Sequence, residues 1–347
     1  MGDTHDRASG TLAAASAAAA AVQRGHDALS DVLEVVRLSG ALFFVVRGSP
    51  PWIAEAPESI ALAPVILPRV QHVVSYHVIV EGSCWCRLGR AAPVRLDAGA
   101  VIVVPHGDAY ALSSAPGLSS GLSHGQMLEW FRQMAAGELP FIVEEGAGPA
   151  ASLTVVCGFL GCDASPFNPV LGALPKLLHL RRPPDRERDS LDTLADLIVA
   201  ESRNRQAGSR SVLLRIGELM FVEVVRRHLA AVTGEDGGWL AGLRDPLVGR
   251  VLEQMHREPH RDWTLDELAR ETATSRSVLA ERFAHLVGEP PMHYLTRWRL
   301  QRAARLLDDG AGKVSAVAEA VGYASEAAFS RAFKKHTGVA PSAWRDR

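Results

Sequence analysis

The sequence predicts an α+β protein: a β-sandwich or barrel toward the N-terminus, a helical connector, and an all-α C-terminal domain holding two helix-turn-helix motifs. Three observations predict it. Short apolar runs punctuated by Gly and Pro fill residues 29–180. Apolar residues then recur at helical spacing between Leu191 and Val224. Near the C-terminus one pattern is written twice, as Phe283, Gly288, Pro291 and Tyr294 and then as Phe333, Gly338, Pro341 and Trp344, at a constant offset of 50 residues.

A chain of 347 residues suggests about two domains. Its 47% hydrophobic content supplies apolar material for two separate cores, and 22% charged residues is ordinary for a soluble globular chain. The net charge of −2 does not mark the whole chain as a nucleic-acid binder. The charge is unevenly spread, however. Residues 239–347 carry 17 Lys and Arg against 14 Asp and Glu, whereas residues 1–238 carry 20 against 25. A mildly basic end on an acidic body is a weak electrostatic pointer to nucleic acid. Four cysteines do not make a disulfide scaffold and fit a reducing cytoplasm. No segment has the length and apolarity of a membrane span, so a cytoplasmic protein with no membrane partner is expected.

Residues 1–28 read as a disordered Ala-rich tail. Ala13 to Val22 is apolar, but Asp3 and Asp6 precede it where a signal peptide carries basic residues. Within the β-rich part, residues 29–180, the clearest strands are Ala41–Val46, Val73–Val80, Ala100–Val104 and Leu153–Phe159. Regular short strands with turn signals are the mark of a sandwich or barrel. Residues 181–238 form the connector. Leu191, Leu194, Leu197 and Ile198 set one amphipathic helix; Leu213, Ile216, Leu219, Met220 and Val224 set a second. They join near Gln206-Ala207-Gly208, and Thr233 to Gly238 reads as a linker. The two helices either pack on the β-rich part of their own chain or pair two chains. A homodimer is favoured because it would double the footprint on a partner.

Residues 239–347 are helical in pattern. In the first motif Thr264 is a good N-cap, and Glu267 three residues later completes a capping box. After Thr272-Ala273-Thr274, Ser275 caps a second helix whose buried face is Leu279, Phe283 and Leu286. The longer helix from Met292 to Leu307 would hold the two motifs apart. In the second motif Val314 to Ala318 opens a helix, Gly322-Tyr323-Ala324 forms the turn, and Ser325 caps the helix carrying Phe329 and Phe333. Phe283, Phe333, Tyr294 and Trp344 are expected in the core. Two such motifs in tandem suit successive turns of one DNA major groove. The exposed N-terminal part of each second helix would meet base edges, with basic residues on phosphates. In the first motif the exposed positions are Arg276, Ser277, Ala280 and Glu281.

Ala318, Val321-Gly322-Tyr323, Ser325, Phe329, Arg331, Phe333-Lys334, Gly338, Pro341 and Trp344 together resemble the C-terminal signature of AraC-type transcriptional regulators, over roughly Asp245 to Arg345. One departure is Ala273, where that family often has Gly. The resemblance implies base-reading positions at Ser277, Ala280 and Glu281 in the first motif and at Glu326, Ala327, Ser330 and Arg331 in the second. Arg331 suits a guanine edge. Lys334 and Lys335 suit phosphates. Glu281 either accepts from a cytosine or holds a neighbouring arginine. The implied function is sequence-specific binding of promoter DNA, with RNA polymerase as a further candidate partner.

Residues 38–180 resemble a cupin-type sensor domain. The likeness rests on Gly40 to Phe44, Pro51-Trp52, His72, Tyr76-His77, Gly82 to Trp85, Pro105 to Asp108, Cys157 to Leu160 and Pro166 to Pro169. The resemblance implies a sensed small molecule, metal or oxidant. The positions nearest to a cupin metal set are His72, His77 and Glu81, with His106 in the turn and Tyr110 where metal-binding cupins carry His. Imidazoles with a carboxylate would suit a divalent metal such as Zn²⁺, Fe²⁺ or Ni²⁺. Packed, hydrogen-bonded histidines are the alternative. Cys84 and Cys86 fall on one face of a strand, and Cys157 and Cys162 are expected near each other. Such thiols could sense oxidants if their pKa values are lowered; buried apolar roles are the alternative. No catalytic residue is assigned. The competing functional reading is a metal-dependent cupin oxygenase or isomerase fused to a DNA-binding module.

Overall fold

A computed structural model describes residues 27–345, apart from residues 37, 69, 182–186, 204–205 and 233–236. Residues 1–26 of the expected tail 1–28, and residues 233–236 of the expected linker, lie outside the described residues; Ala28, the last residue of that tail, instead begins a helix and is buried. The chain divides into two compact units. Among the described residues, one runs from Val36 to Val232; the other joins residues 27–35 with those from 237 onward.

The first unit is built on two sheets. The larger has the order β10-β6-β3-β9-β1-β8 and the smaller β2-β7-β4-β5. In sequence these are β1 (Leu38–Gly48), β2 (Ile53–Ala56), β3 (His72–Glu81), β4 (Ser83–Leu88), β5 (Val94–Asp97), β6 (Val101–Val104), β7 (Tyr110–Ser113), β8 (Ile142–Glu145), β9 (Leu153–Cys162) and β10 (Leu178–Leu180). Central β9 is antiparallel to both β1 and β3, so that Cys157 lies opposite Phe44 on one side and His77 on the other. Edge strand β8 is parallel to β1, in a register that pairs Val46 with Val143 and Gly48 with Glu145. Every residue of β9 is buried, in keeping with a sequence apolar at all but Thr154: it is covered on both faces. Phe44, Ile79, Cys84, Leu96, Ile102 and Phe159 belong to the core between the sheets. Helices α1 and α2 precede β1 and β3 (Ala28–Val35 and Ser59–Ile66), α3 (His124–Ala136) follows β7, and α4 (Pro169–Ala173) follows β9.

The connector helices α5 (Ser190–Arg203) and α6 (Ser209–Ala231) pack on each other and on β1 and β9 of their own chain. Gly217 is required there, because a Cβ at that position would stand 2.3 Å from Phe43 Cζ. The helices bury Leu191, Ala195 and Ile198, and Leu213, Ile216, Met220 and Val224. Leu197 and Leu219, also apolar by spacing, stay 49% and 56% exposed. The sheet covers only one side of each helix, so the stripe is wider than the seam.

The second unit contains α7 (Trp239–Arg244), α8 (Val248–Arg257), α9 (Leu265–Glu271), α10 (Arg276–Val287), α11 (Pro291–Asp308), α12 (Val314–Ala320), α13 (Glu326–Thr337) and α14 (Pro341–Arg345). Helix α1 packs here, on α8 and α11, although its sequence directly precedes the β-rich part. Long helix α11 is shared by two cores. Toward its start Tyr294, Leu295 and Trp298 are buried with residues of the first motif, including Leu279 and Phe283. Toward its end Leu300, Ala303 and Leu307 pack with Val317, Phe329, Phe333 and Trp344 of the second. Burying each such aromatic contributes roughly 1.5–3 kcal/mol. The first core also holds a polar chain: the Trp239 indole N–H donates to Tyr294 Oη at 2.7 Å, and His256 Nε2 meets the same oxygen at 2.7 Å. The His256 ring stacks on Trp298 with centroids 4.0 Å apart.

Candidate nucleic-acid interface and effector cavity

The two motifs are built from the same local chemistry. Glu267 N–H donates to Thr264 Oγ1 at 3.2 Å while Thr264 N–H donates to Glu267 Oε2 at 3.0 Å, completing the capping box of α9. Ser275 Oγ accepts from Val278 N–H at the start of α10, and Ser325 Oγ accepts from Ala328 N–H at the start of α13. Both helices end at a left-handed glycine, Gly288 (φ 86°) and Gly338 (φ 80°). The turns differ in length. Four residues, 272–275, separate α9 from α10, whereas five, 321–325, separate α12 from α13. Ala273 takes φ 54°, so the first turn keeps the left-handed conformation without glycine.

Arg276, Ser277 and Glu281 on α10 are exposed and Ala280 is half-buried. On the second motif Ser325, Glu326, Ala327, Arg331, Lys334 and Lys335 are exposed and Ser330 is half-buried. Phe283, Phe329, Phe333, Tyr294 and Trp344 are buried, as expected of scaffold. The two faces differ electrostatically. In the first motif Arg276 Nε lies 3.2 Å from Asp266 Oδ1, and Arg282 gives two bonds, of 2.8 and 2.5 Å, to Asp245 Oδ2. Burial pushes the Asp245 carboxyl up, but the Arg282 bonds and the Val248 and Leu247 N–H groups outweigh it and hold the carboxyl below its ordinary range. Glu281 holds neither arginine. In the second motif no carboxylate among the described residues pairs with Arg331, Lys334 or Lys335. The two lysines lie in the last turn of α13, where a cation also favours the helix dipole. Arginines on α11 are engaged internally: Arg299 donates to the Pro259 and Arg261 carbonyls at 2.6 and 2.8 Å, and Arg297 bonds Glu289.

Val278 is a residue that sequence reasoning passed over. It is 50% exposed, between Ser277 and Leu279. An apolar residue there looks like core until the buried positions Leu279, Phe283 and Leu286 fix the register of α10; that register puts 278 outside the buried arc.

In the β-rich unit the expected metal set does not converge. His72 Nε2–H donates to the Pro105 carbonyl at 2.6 Å, and His106 Nε2–H to the Leu174 carbonyl at 2.8 Å. His77 Nε2 is 2.7 Å from Tyr110 Oη, and Glu81 accepts from Thr154 Oγ1 at 3.2 Å. His72 and His77 are an odd number of residues apart on β3, which sends them to opposite faces. Burial lowers His77 to a pKa of about 3, and burial raises Tyr110 well above the usual phenol range. Among the described residues no group of three His, Cys, Asp or Glu side chains is placed to hold a metal ion. The donor set therefore does not fit a divalent metal.

The cysteines also depart from expectation. Cys157 and Cys162 are not neighbours: both lie on extended β9, five residues and so about 16 Å apart. All four thiols are free and buried. Burial raises Cys84, Cys86 and Cys162 to about 12, and Cys157 well above the usual thiol range. Oxidant sensing is favoured by a lowered thiol pKa, and burial shifts all four thiols the other way.

What the unit does contain is a cavity of about 290 Å³ between the two sheets and α3. Phe44, Trp52, Tyr110, Trp130, Phe131 and Phe159 form aromatic walls, and His77 and Cys157 lie among the other lining residues. Ser123 and Gln126 form a capping box that starts α3, which brings Met127, Trp130 and Phe131 to the cavity.

The family described as Cupin matches residues 27–230, and that described as Helix-turn-helix domain matches residues 268–347. A putative AraC-like transcription regulator of Streptomyces lividans is 31% identical over 278 residues, covering 79% of this chain and 86% of that protein. The chain belongs to the AraC-type transcriptional regulators. A second putative AraC-like regulator, from Streptomyces antibioticus, is 29% identical over 92% of this chain and 98% of its own length. The HTH-type transcriptional regulator AlkR of Acinetobacter baylyi is 26% identical over 92% of this chain and 99% of its own. This AraC-type protein is thus a DNA-binding regulator with a cupin domain. No helix among its described residues is long and apolar enough to cross a membrane.

Proposed function

We propose that this AraC-type regulator binds promoter DNA chiefly through α13, with α10 in support, and that a small molecule in the cupin cavity controls the binding. The observation that carries the first part is the set of cations on α13 that no carboxylate among the described residues pairs, against an α10 whose arginines Arg276 and Arg282 are both tied to aspartates. Free cations release phosphate counterions and reach guanine edges; paired ones must first break a bond. The aromatic-walled cavity supports the second part, since ligand sites are concave, mostly apolar and few per protein. The ligand acts by binding one arrangement of the chain more tightly than another. Val278 adds an apolar contact for a thymine methyl group.

Val212 and Leu219 are 44% and 56% exposed, two turns apart on one face of α6. They support a homodimer in the cytoplasm, which would double the DNA footprint. RNA polymerase is the partner through which promoter binding would act.

A gel-shift titration with the protein's own upstream DNA, at several salt concentrations, tests the reading. We expect a clear preference over random duplex and an affinity that falls steeply with salt. Equal binding to both DNAs would overturn it. Sedimentation equilibrium on the same preparation is expected to show a dimer that Leu219→Glu converts to monomer; a wild-type monomer would remove the dimer.

A further inference from the structure

The cavity has a charge character that its apolar walls conceal. Strand β8 reads Ile142-Val143-Glu144-Glu145. Glu144 sits beside Arg47, 3.6 Å away and exposed. Glu145 alternates to the other face. Its register partner is Gly48, next in the row Phe44, Val46, Gly48, and Phe44, Val46 and Glu145 all line the cavity. The Trp52 indole occupies the space over Gly48, where a Cβ would stand 2.5 Å from Trp52 Nε1. A carboxylate and an indole therefore share one end of the cavity. Among the described residues no Lys or Arg lines the cavity and no cation pairs with Glu145. Its surroundings raise the Glu145 pKa by desolvation, the sign of a carboxylate without a counter-charge. A second carboxylate, Glu55, also lines the cavity and is bonded by Ser120 Oγ. His77 is held neutral by burial.

We propose that the cavity takes an amphipathic organic cation, its ammonium or amidinium group set between the Glu145 carboxylate and the Trp52 ring and its apolar body against Phe44 and Phe159. Two carboxylates, with no Lys or Arg among the described lining residues, repel a carboxylate or phosphate ligand. A neutral hydrocarbon would fill the aromatic volume but leave Glu145 desolvated and unpaired. A cation removes that penalty and adds attraction to the ring faces. The proposal rests on the reading of this cavity as the effector site and narrows it to one charge class.

The test is calorimetric titration of the full-length protein with three probes of one shape: phenyltrimethylammonium, tert-butylbenzene and 2-methyl-2-phenylpropanoate. The expected result is that the cation binds about tenfold more tightly than the neutral hydrocarbon. The anion should not bind detectably. Glu145→Gln keeps the size of the side chain and should weaken the cation about tenfold while leaving the hydrocarbon unchanged. Three outcomes overturn the proposal: the hydrocarbon equals the cation, the anion binds best, or no probe binds. Tight hydrocarbon binding with no gain from charge would leave the cavity an effector site and remove only the cation. The wild-type charge series stands by itself should the variant melt at a lower temperature.

Discussion

Single residues separate the two candidate recognition helices, α10 and α13. Arg276 and Arg282 are committed to Asp266 and Asp245, while Arg331 projects from α13 without a carboxylate partner among the described residues. Glu281, exposed on α10, brings negative charge toward a polyanion. Arg331→Ala is therefore expected to weaken operator binding by about 1–3 kcal/mol and to relax base preference. Glu281→Ala should cost less, or even tighten non-specific binding. Competition gel shifts with operator and random duplex measure both effects, and the opposite order would make α10 the principal reader. These side chains were legible in the sequence as positions. Their pairing was not, because Asp245 is 37 residues before Arg282 and only the fold brings them together.

At the scale of the elements, the two motifs solve one turn in different ways. Ala273 adopts φ 54°, a left-handed conformation that costs a Cβ-bearing residue about 1 kcal/mol. Its counterpart Gly322 has φ 84°, and a Cβ there would stand 2.7 Å from the His260 carbonyl oxygen. Ala273→Gly is expected to stabilise the helical unit by about 0.5–1 kcal/mol. Gly322→Ala should destabilise it by about 2 kcal/mol or more, since conformational strain and backbone overlap add. Chemical denaturation followed by circular dichroism gives both values; equal effects at the two positions would contradict the difference between the turns. The offset of 50 between the repeats was readable from Phe283 onward. The extra residue in the second turn shifts the upstream helices to an offset of 49 (Leu265–Glu271 against Val314–Ala320). The caps at Thr264, Ser275 and Ser325 were also readable, because capping depends on neighbours three residues away.

The whole molecule carries a neutral buried histidine in each unit. Burial lowers His256 to a pKa of about 3 in the helical unit, as it does His77 in the β-rich unit. In the unfolded chain a histidine titrates near 6.5. Above that pH both states are neutral and nothing is gained or lost. Between about 6.5 and 3 the unfolded chain binds protons that the folded protein refuses, so stability falls as the pH is lowered, by up to about 1.4 kcal/mol per pH unit for each histidine. His256→Phe keeps a ring to stack on Trp298 and removes the titrating group, at the loss of the bond to Tyr294 Oη. Calorimetric melting from pH 7.5 to 4 should show the wild-type transition falling more steeply than that of the variant. Parallel curves would mean that His256 is protonated in the folded protein.

The sequence by itself determined the two-part architecture, the tandem motifs, their caps and their aromatic cores. Each of these depends on residues close in the chain or on strict periodicity, and the relatives in the AraC-type family agree with it. Tertiary structure decided which charges remain available on α10 and α13, that His72, His77 and Glu81 part company, and that Cys157 and Cys162 are a strand apart. It also placed helix α1 with the helices of the second unit and turned Glu145 toward the aromatic cavity. Those outcomes depend on strand register and on pairings between residues distant in sequence, where a shift of one residue sends a side chain to the opposite face.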